Sequence, residues 1–301
     1  MYRLLAIPRS LVTQRLLAVH AHPDDESSKG AATYAYYRSI GTEVLVVSCT
    51  GGERGSILNE ALDGRPAAER DLAGVRRREM ARAQAVMGID HIWLGYQDSG
   101  MPDEGEPLPV GSFASIPLEI SAEPLVRVIR RYKPQVLVTY DEKGGYPHPD
   151  HIRTHEVAMF AMRAAADATQ YPDAGPAWSI SKLYYDRIFS GDRLRSVYAL
   201  LQERMPESPL IEAMAGMRSW IDESPSLATT RVPAGEFFEV GNDALRSHAS
   251  QVAPDSPFFF WPNDLQREAW PTEDFQLIES TVPTELPETD LFAGIPEEGA
   301  A

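Results

Sequence analysis

The chain has one cysteine, Cys49, among 301 residues. No intrachain disulfide can form, so a disulfide-stapled secreted scaffold is excluded and a reducing cytosol is the compartment that fits. Cys49 lies inside the apolar run VLVVSC and is expected to be a buried, inert thiol. Basic residues are scarce: 28 Lys and Arg stand against 44 Asp and Glu, a net charge of −16. That balance argues against nucleic acid and anionic membrane surfaces as partners, since both need a basic patch. No apolar run approaches the roughly 18 residues that span a bilayer. The opening MYRLLAIPRSLVTQ is broken by Pro8 and Arg9 and is expected to be a leader segment, not a signal peptide. Apolar residues are plentiful at 43%, enough for a sizeable core. A small molecule is the partner class that fits.

These apolar residues recur in short runs. RLLAV at 15–19 reads as a buried strand, and KGAATYAYYRSIG as a helix closed by Gly41. EVLVVSC at 43–49, HIWL at 91–94 and QVLVTY at 135–140 read as three more strands. Helices are expected over 69–87, over PLEISAEPLVRVIRRY and over 150–168. The order β-α-β-α-β-α-β predicts an α/β, Rossmann-like, mostly parallel sheet with helices on both faces. Beyond residue 170 the pattern loosens. KLYYDRIF reads as a strand, 192–218 as two helical stretches, RVPAGEFFEV as a strand and NDALRSHASQV as a helix. The last 21 residues hold five acids and no Lys or Arg, and are expected to be a loosely held tail in which LFAGI could dock. No repeat or clean linker is present. One domain is expected, with a leader at 1–14, a catalytic core at 15–170, a C-terminal elaboration at 171–280 and the acidic tail at 281–301.

In open α/β sheets, ligands bind beyond the carboxyl ends of the strands. Each of the four strands leads there into a dense polar cluster: HAHPDDE, TGGERGS, GYQDSGM and DEKGGYPHPDH. The first cluster offers His22 and Asp25, three apart at a strand-to-helix turn; the fourth offers His148 and His151, also three apart. Imidazole and carboxylate together suit zinc with three protein ligands and an open position for water, here His22, Asp25 and His151. Asp24 beside them is the candidate general base, because zinc lowers the water pKa to roughly 7 and a carboxylate can then take the proton. An Asp-Asp pair before a helix can also be a plain N-cap, but that would leave the second, distant cluster unexplained. His20 is expected at most to support the site, and His91 and His155 to be ordinary structural histidines. His248 and Gln251, three apart on a helix, either line the rim or serve packing and hydrogen bonding, the second being the expectation.

HPDDE followed by HPDH resembles the LmbE/PIG-L-type zinc deacetylase family, which hydrolyses amides on glucosamine. HAHPDDESSKGAAT, VVSCTGGERGSIL, VRRREM, DSGMP and TYDEKGGYPHPDH, with further stretches, carry the resemblance over 15–295. The SSKG and GGERGS extensions resemble members that act on thiol-bearing glucosaminyl-inositol conjugates. The resemblance implies one catalytic zinc on His22, Asp25 and His151, with Asp24 as base. It makes His148 the acid or oxyanion stabiliser, Tyr146 the group that polarises the scissile carbonyl, and Asp150 the residue that orients His148. Arg76 and Asp98 match positions that grip sugar or inositol hydroxyls. RRRE offers Arg76, Arg77 and Arg78, and Arg76 has the family's spacing to Glu79.

The GGERG loop, with Glu53 and Arg54, is either a ligand-binding backbone nest or a flexible turn. Lys29, one turn past Asp25, either contacts substrate or is a solvated helix residue. The implied reaction cuts the amide between glucosaminyl-inositol and an S-substituted N-acetylcysteine, in thiol-dependent detoxification. Two rivals stand beside it: deacetylation of N-acetylglucosaminyl-inositol, and a non-catalytic sugar-binding module that keeps its metal for structure. Asp24 speaks against the module, since a structural zinc has a closed fourth position and needs no base.

Overall fold

The computed structural model describes residues 14–103, 105–187, 190–216, 223–254, 256 and 260–296. The leader therefore lies almost wholly outside the described residues, as do 188–189 of the expected KLYYDRIF strand. The first half runs β1 (Arg15–His20), α1 (Asp25–Ser28), α2 (Ala31–Ser39), β2 (Glu43–Thr50), α3 (Arg65–Arg70), α4 (Leu72–Met87), β3 (Asp90–Tyr96), α5 (Leu118–Tyr132), β4 (Val136–Thr139) and α6 (Pro149–Ala166). The second half runs β5 (Lys182–Asp186), α7 (Gly191–Arg204), α8 (Pro209–Ala215), β6 (Thr230–Val232), α9 (Phe238–Arg246), α10 (Asn263–Ala269) and β7 (Glu273–Ser280).

The aliphatic runs within β1, β2 and β4, at 16–19, 44–47 and 136–138, reflect a sheet covered on both faces. Successive side chains go to opposite sides. Leu16, Ala18, Val44, Val46, Val136 and Val138 join one core layer with residues of α2, α4 and α9. Leu17, Val19, Leu45, Val47 and Leu137 join the other with residues of α5 and α6. A satellite cluster of Leu194, Val197, Leu201, Met214, Trp261 and Leu265 ties α7, α8 and α10 together. No helix among the described residues is long and apolar enough to cross a membrane.

The seven strands lie in the order β3-β2-β1-β4-β5-β7-β6. β3 through β5 pair in parallel; β7 is antiparallel to β5 and to β6. The chain winds outward from β1 through β2 and β3, then returns to the other side of β1 at β4. The reversal of strand order, where doubly wound sheets bind ligands, is thus the β1/β4 seam. Its register pairs Leu16 with Val136, Leu17 with Leu137 and Ala18 with Val138. This seam brings HPDDE beside HPDH.

α6 begins with His148 as N-cap and Pro149 at its first turn, two devices that set the helix start. At its other end the buried Arg130 donates to the carbonyls of Ala164, Ala165, Asp167, Gln170, Tyr171 and Gly175. The last carbonyls of a helix have no partners within it; here those of Ala164 and Ala165 accept from the guanidinium and from the Asp167 and Trp178 amides.

Two expectations need correction. RVPAGEFFEV is a strand only over Thr230–Val232; after Pro233 and Gly235 break the pairing, α9 buries Phe238, Ala244 and Leu245. In the region after 171, β5, β6 and β7 extend the same sheet. Over 281–296 the acidic tail is not loose. Leu291 and Phe292 enter the core, and Glu288 accepts from Lys182 Nζ at 2.7 Å and Tyr184 Oη at 2.5 Å. Its acidity misleads because Glu288 is the partner of a buried lysine.

Candidate metal centre

Beyond β1, Asp25 Oδ2 lies 3.7 Å from His22 Nδ1 and 3.4 Å from His151 Nε2, the latter from α6. All three residues are buried. Burial alone would lower the His22 pKa. Hydrogen bonds to Asp150 and Asp98 and the charge of Asp25 instead carry it up to about 10, so the pocket favours positive charge here. Asp25 is held well below the ordinary carboxylate range: burial opposes this, but the charges of Lys29 and His22 prevail. Burial pushes His151 down to about 3, leaving a neutral ring. Lys29 Nζ sits 2.5 Å from Asp25 Oδ1.

The hydrogen bonds fix which ring nitrogens can bind a cation, since a neutral imidazole has one donor and one acceptor nitrogen. His22 Nε2 donates to Asp150 Oδ2 at 3.2 Å, so Nδ1, which faces Asp25, is the nitrogen at which a cation would replace the proton. His151 Nδ1 donates to the Gly144 carbonyl at 2.9 Å, which leaves Nε2 free; that nitrogen is buried and has no partner among the described residues. Both follow the pattern in which a metal-ligating histidine gives its other N–H to an oxygen. A second cluster of possible ligands is His22, His148 and Asp150. His148 Nδ1 accepts the Asp150 amide at 3.1 Å, so its proton sits on Nε2. The ring is thus a donor at its other edge and cannot ligate. The donor set His22, Asp25 and His151 fits a divalent metal.

Two neighbours of this set carried no obvious signal in the sequence. The Tyr140 ring stacks on His151 with centroids 4.5 Å apart. Gly144 has φ +72°, and a Cβ there would come within 2.5 Å of His151 Cβ, so only glycine lets the chain pass. The Gly-Gly pair in the fourth cluster was the available hint. β5 adds Asp186 to the same rim, its carboxyl pushed by burial up to about 7 against the pull of Lys29 and Arg187.

Asp24 has φ +109°, and Arg76 NH2 lies 3.3 Å from its Oδ2. Burial raises the Asp24 carboxyl, Arg76 opposes and Asp25 adds to the rise. Arg76 is buried, whereas Arg77 and Arg78 are exposed. Its NH1 and NH2 donate to the carbonyls of Gly52 and Pro23. Only its Nε lacks a partner among the described residues. Asp98 is similarly engaged: its carboxylate accepts the amides of Arg54 and Gly100, while its own amide donates to Glu53 Oε1. The Arg54 side chain is exposed.

The Asp150 carboxylate accepts from His22 and from the Ser99 amide; it orients His22, and only the Asp150 backbone N–H meets His148. That corrects the expected pairing, and the reason is the helix start, which spends His148 Nδ1 on capping. Tyr146 is half exposed, its ring 4.4 Å from that of His151. His20 bonds Tyr34 Oη, His91 bonds Ser48 Oγ and His155 bonds the Tyr140 carbonyl. Cys49 is buried and burial pushes its thiol up to about 12.

Residues 17–162 match the family described as PIG-L, GlcNAc-PI de-N-acetylase. The chain is 49% identical over 288 residues to mycothiol S-conjugate amidase of Streptomyces coelicolor, covering 93% of this chain and 97% of that protein. It is 40% identical over 301 residues to the 1D-myo-inositol 2-acetamido-2-deoxy-alpha-D-glucopyranoside deacetylase of a Nocardioides species, covering 94% and 99%. Its fold is similar to that of N,N'-diacetylchitobiose deacetylase from Pyrococcus horikoshii, with a TM-score of 0.59 at 20% identity over 88% of this chain and 84% of that one. With relatives of this kind along nearly its whole length, the chain belongs to the PIG-L/LmbE family of amide-cleaving deacetylases and amidases.

Proposed function

We propose that the protein is a zinc-dependent amidase that cuts mycothiol S-conjugates between glucosaminyl-inositol and the S-substituted N-acetylcysteine. The chemistry rests on one observation: His22 Nδ1 and the unpartnered His151 Nε2 both face Asp25, the neighbour of Asp24 in the chain. His22, Asp25 and His151 would hold the ion, and this nitrogen and oxygen set suits zinc. When bound, zinc supplies a Lewis acid and lowers the pKa of water to roughly 7. Asp24 takes the proton of the attacking water; burial raises its carboxyl in the direction a base needs, with Arg76 pulling the other way. The His148 Nε2–H and the Tyr146 hydroxyl are the donors for the developing oxyanion, and Asp24 returns the proton it took from water to the leaving amine. Arg76 and Asp98 shape the glucosaminyl-inositol site by fixing the turn at Gly52–Arg54.

For the substrate, the 49% identity to the amidase favours the conjugate. The 40% identity to the deacetylase supports a second reading, removal of acetate from the same glucosaminyl-inositol. Metal and base see only the amide, so discrimination must come from surfaces beyond the carbonyl. Lys29 and the loop at Glu53–Ser56 are suited to the S-linked part. Apolar groups on sulfur gain roughly 25 cal/mol per Å² buried, less the cost of ordering. A side-by-side measurement of kcat/KM is expected to favour bulky, apolar mycothiol S-conjugates over the acetamide. Faster cleavage of the acetamide would replace the amidase reading with the deacetylase one.

A further inference from the structure

Asp24 adopts φ +109° without being glycine. A backbone of this kind is strained and persists only where its surroundings over-determine it. The surroundings here are specific. The Asp24 amide donates to Glu26 Oε2 at 2.9 Å. Glu26 Oε1 accepts from Ser27 Oγ at 2.6 Å and from His248 Nε2 at 2.8 Å. Glu26 and His248 are both 0% exposed, and His248 comes from beyond α9, 222 residues away. The other His248 ring nitrogen has no partner among the described residues, so Glu26 alone fixes the ring. Burial would raise the Glu26 carboxyl, yet His248, Ser27 and the Asp24 amide bring it down to about 2.

The same turn reaches Asp24 by a second route. Ser250 donates its amide and its hydroxyl to the two oxygens of Glu79, both at 2.7 Å. Glu79 lies one turn along α4 from Arg76, whose NH2 is 3.3 Å from Asp24 Oδ2. The Ala249 carbonyl accepts Asn59 Nδ2, and the Ser250 carbonyl accepts the Leu58 amide, so the loop beyond β2 is held as well. A buried ionic pair is a poor way to gain stability, since an apolar pair of the same size often does better. Its contacts instead converge on one carboxylate.

We propose that Glu26 and His248 are positioning residues that hold Asp24 in its left-handed backbone and so aim its carboxylate. This rests on the reading of Asp24 as general base. Three variants test it, assayed as metal-loaded protein on whichever of the two amides the wild type cuts faster. His248→Leu is expected to lower kcat by on the order of 10²-fold, the cost of a misplaced catalytic group, with KM and bound metal little changed. His248→Gln keeps a donor for Glu26 and is expected to recover most of kcat. In an Asp24→Asn background, His248→Leu is expected to cost nothing further, because a residue acting through Asp24 has nothing left to position. A crystal structure of His248→Leu is expected to show Asp24 relaxed to negative φ. If His248→Leu does not fold, Glu26→Gln, which keeps the volume, gives the same readouts. Unchanged kcat, an equal loss in the Asp24→Asn background, or a retained positive φ at Asp24 each overturns the proposal. Near-normal turnover of Asp24→Asn alone removes the base reading instead, and the crystal structure still decides the positioning.

Discussion

At Asp24 a carboxylate and an amide would fill the same volume, but only the carboxylate can accept a proton. Asp24→Asn is therefore expected to keep fold and metal and lose on the order of 10²–10⁴-fold in kcat, the usual range for loss of a general base. Metal analysis beside steady-state kinetics checks it; loss of metal together with activity would move Asp24 into the ligand set. The residues themselves were legible in the sequence. Two histidines and three acids packed after an apolar run have no place in a core, and HPDDE and HPDH therefore stood out. Less legible was the direction of each hydrogen bond. No spacing rule shows that His148 Nδ1 caps α6, that the Asp150 carboxylate turns to His22, or that Arg76 is buried against Asp24. These depend on how helices from distant parts of the chain meet across the β1/β4 seam.

Among the elements, α6 carries His148, Asp150 and His151 at its first turn, so its placement sets the site. Its far end is fixed by the buried Arg130, which donates to six carbonyls. Four of the six carbonyls, those of Ala164, Ala165, Asp167 and Tyr171, also accept a backbone amide, so the loss is that of the charge-assisted bonds themselves. Arg130→Met is expected to destabilise the protein by roughly 1.5–3 kcal/mol on that basis, read as a lower denaturation midpoint at unchanged slope. Arg130→Lys is expected to rescue little, because one ammonium cannot reproduce the planar fork. A lysine variant as stable as wild type would show that water, not the guanidinium, satisfies these carbonyls. Strands and helices of the first half were readable because apolar runs and amphipathic stretches alternate cleanly there. β7 was not, since Glu273 and Asp274 open it with two charges; both are buried, and Glu273 accepts the Thr33 amide of α2. Partners supplied by tertiary structure reverse the polarity rule on which strand reading depends.

For the molecule as a whole, the final segment closes the core that β1 begins. Glu288 takes its place among Lys182, Tyr184 and Thr230, while Leu291 and Phe292 pack beneath α2, where Tyr37 Oη accepts the Leu291 amide. Lys182 is 1% exposed, and Glu288 is its carboxylate partner. Removing one member of a buried pair leaves an uncompensated charge and costs about 3–5 kcal/mol, whereas replacing both with apolar groups is often neutral. Glu288→Leu is therefore expected to lose that amount of unfolding free energy, and Lys182→Met with Glu288→Leu to regain most of it. Equilibrium denaturation of the two variants separates this from a tail that merely rests on the surface: in that case Glu288→Leu would shift the midpoint little, and the second substitution would make matters worse. Because β5, which pairs with β7, lies beside β4, a loss of this size should also lower metal retention at the seam, measurable on the same samples by titration with a chelator.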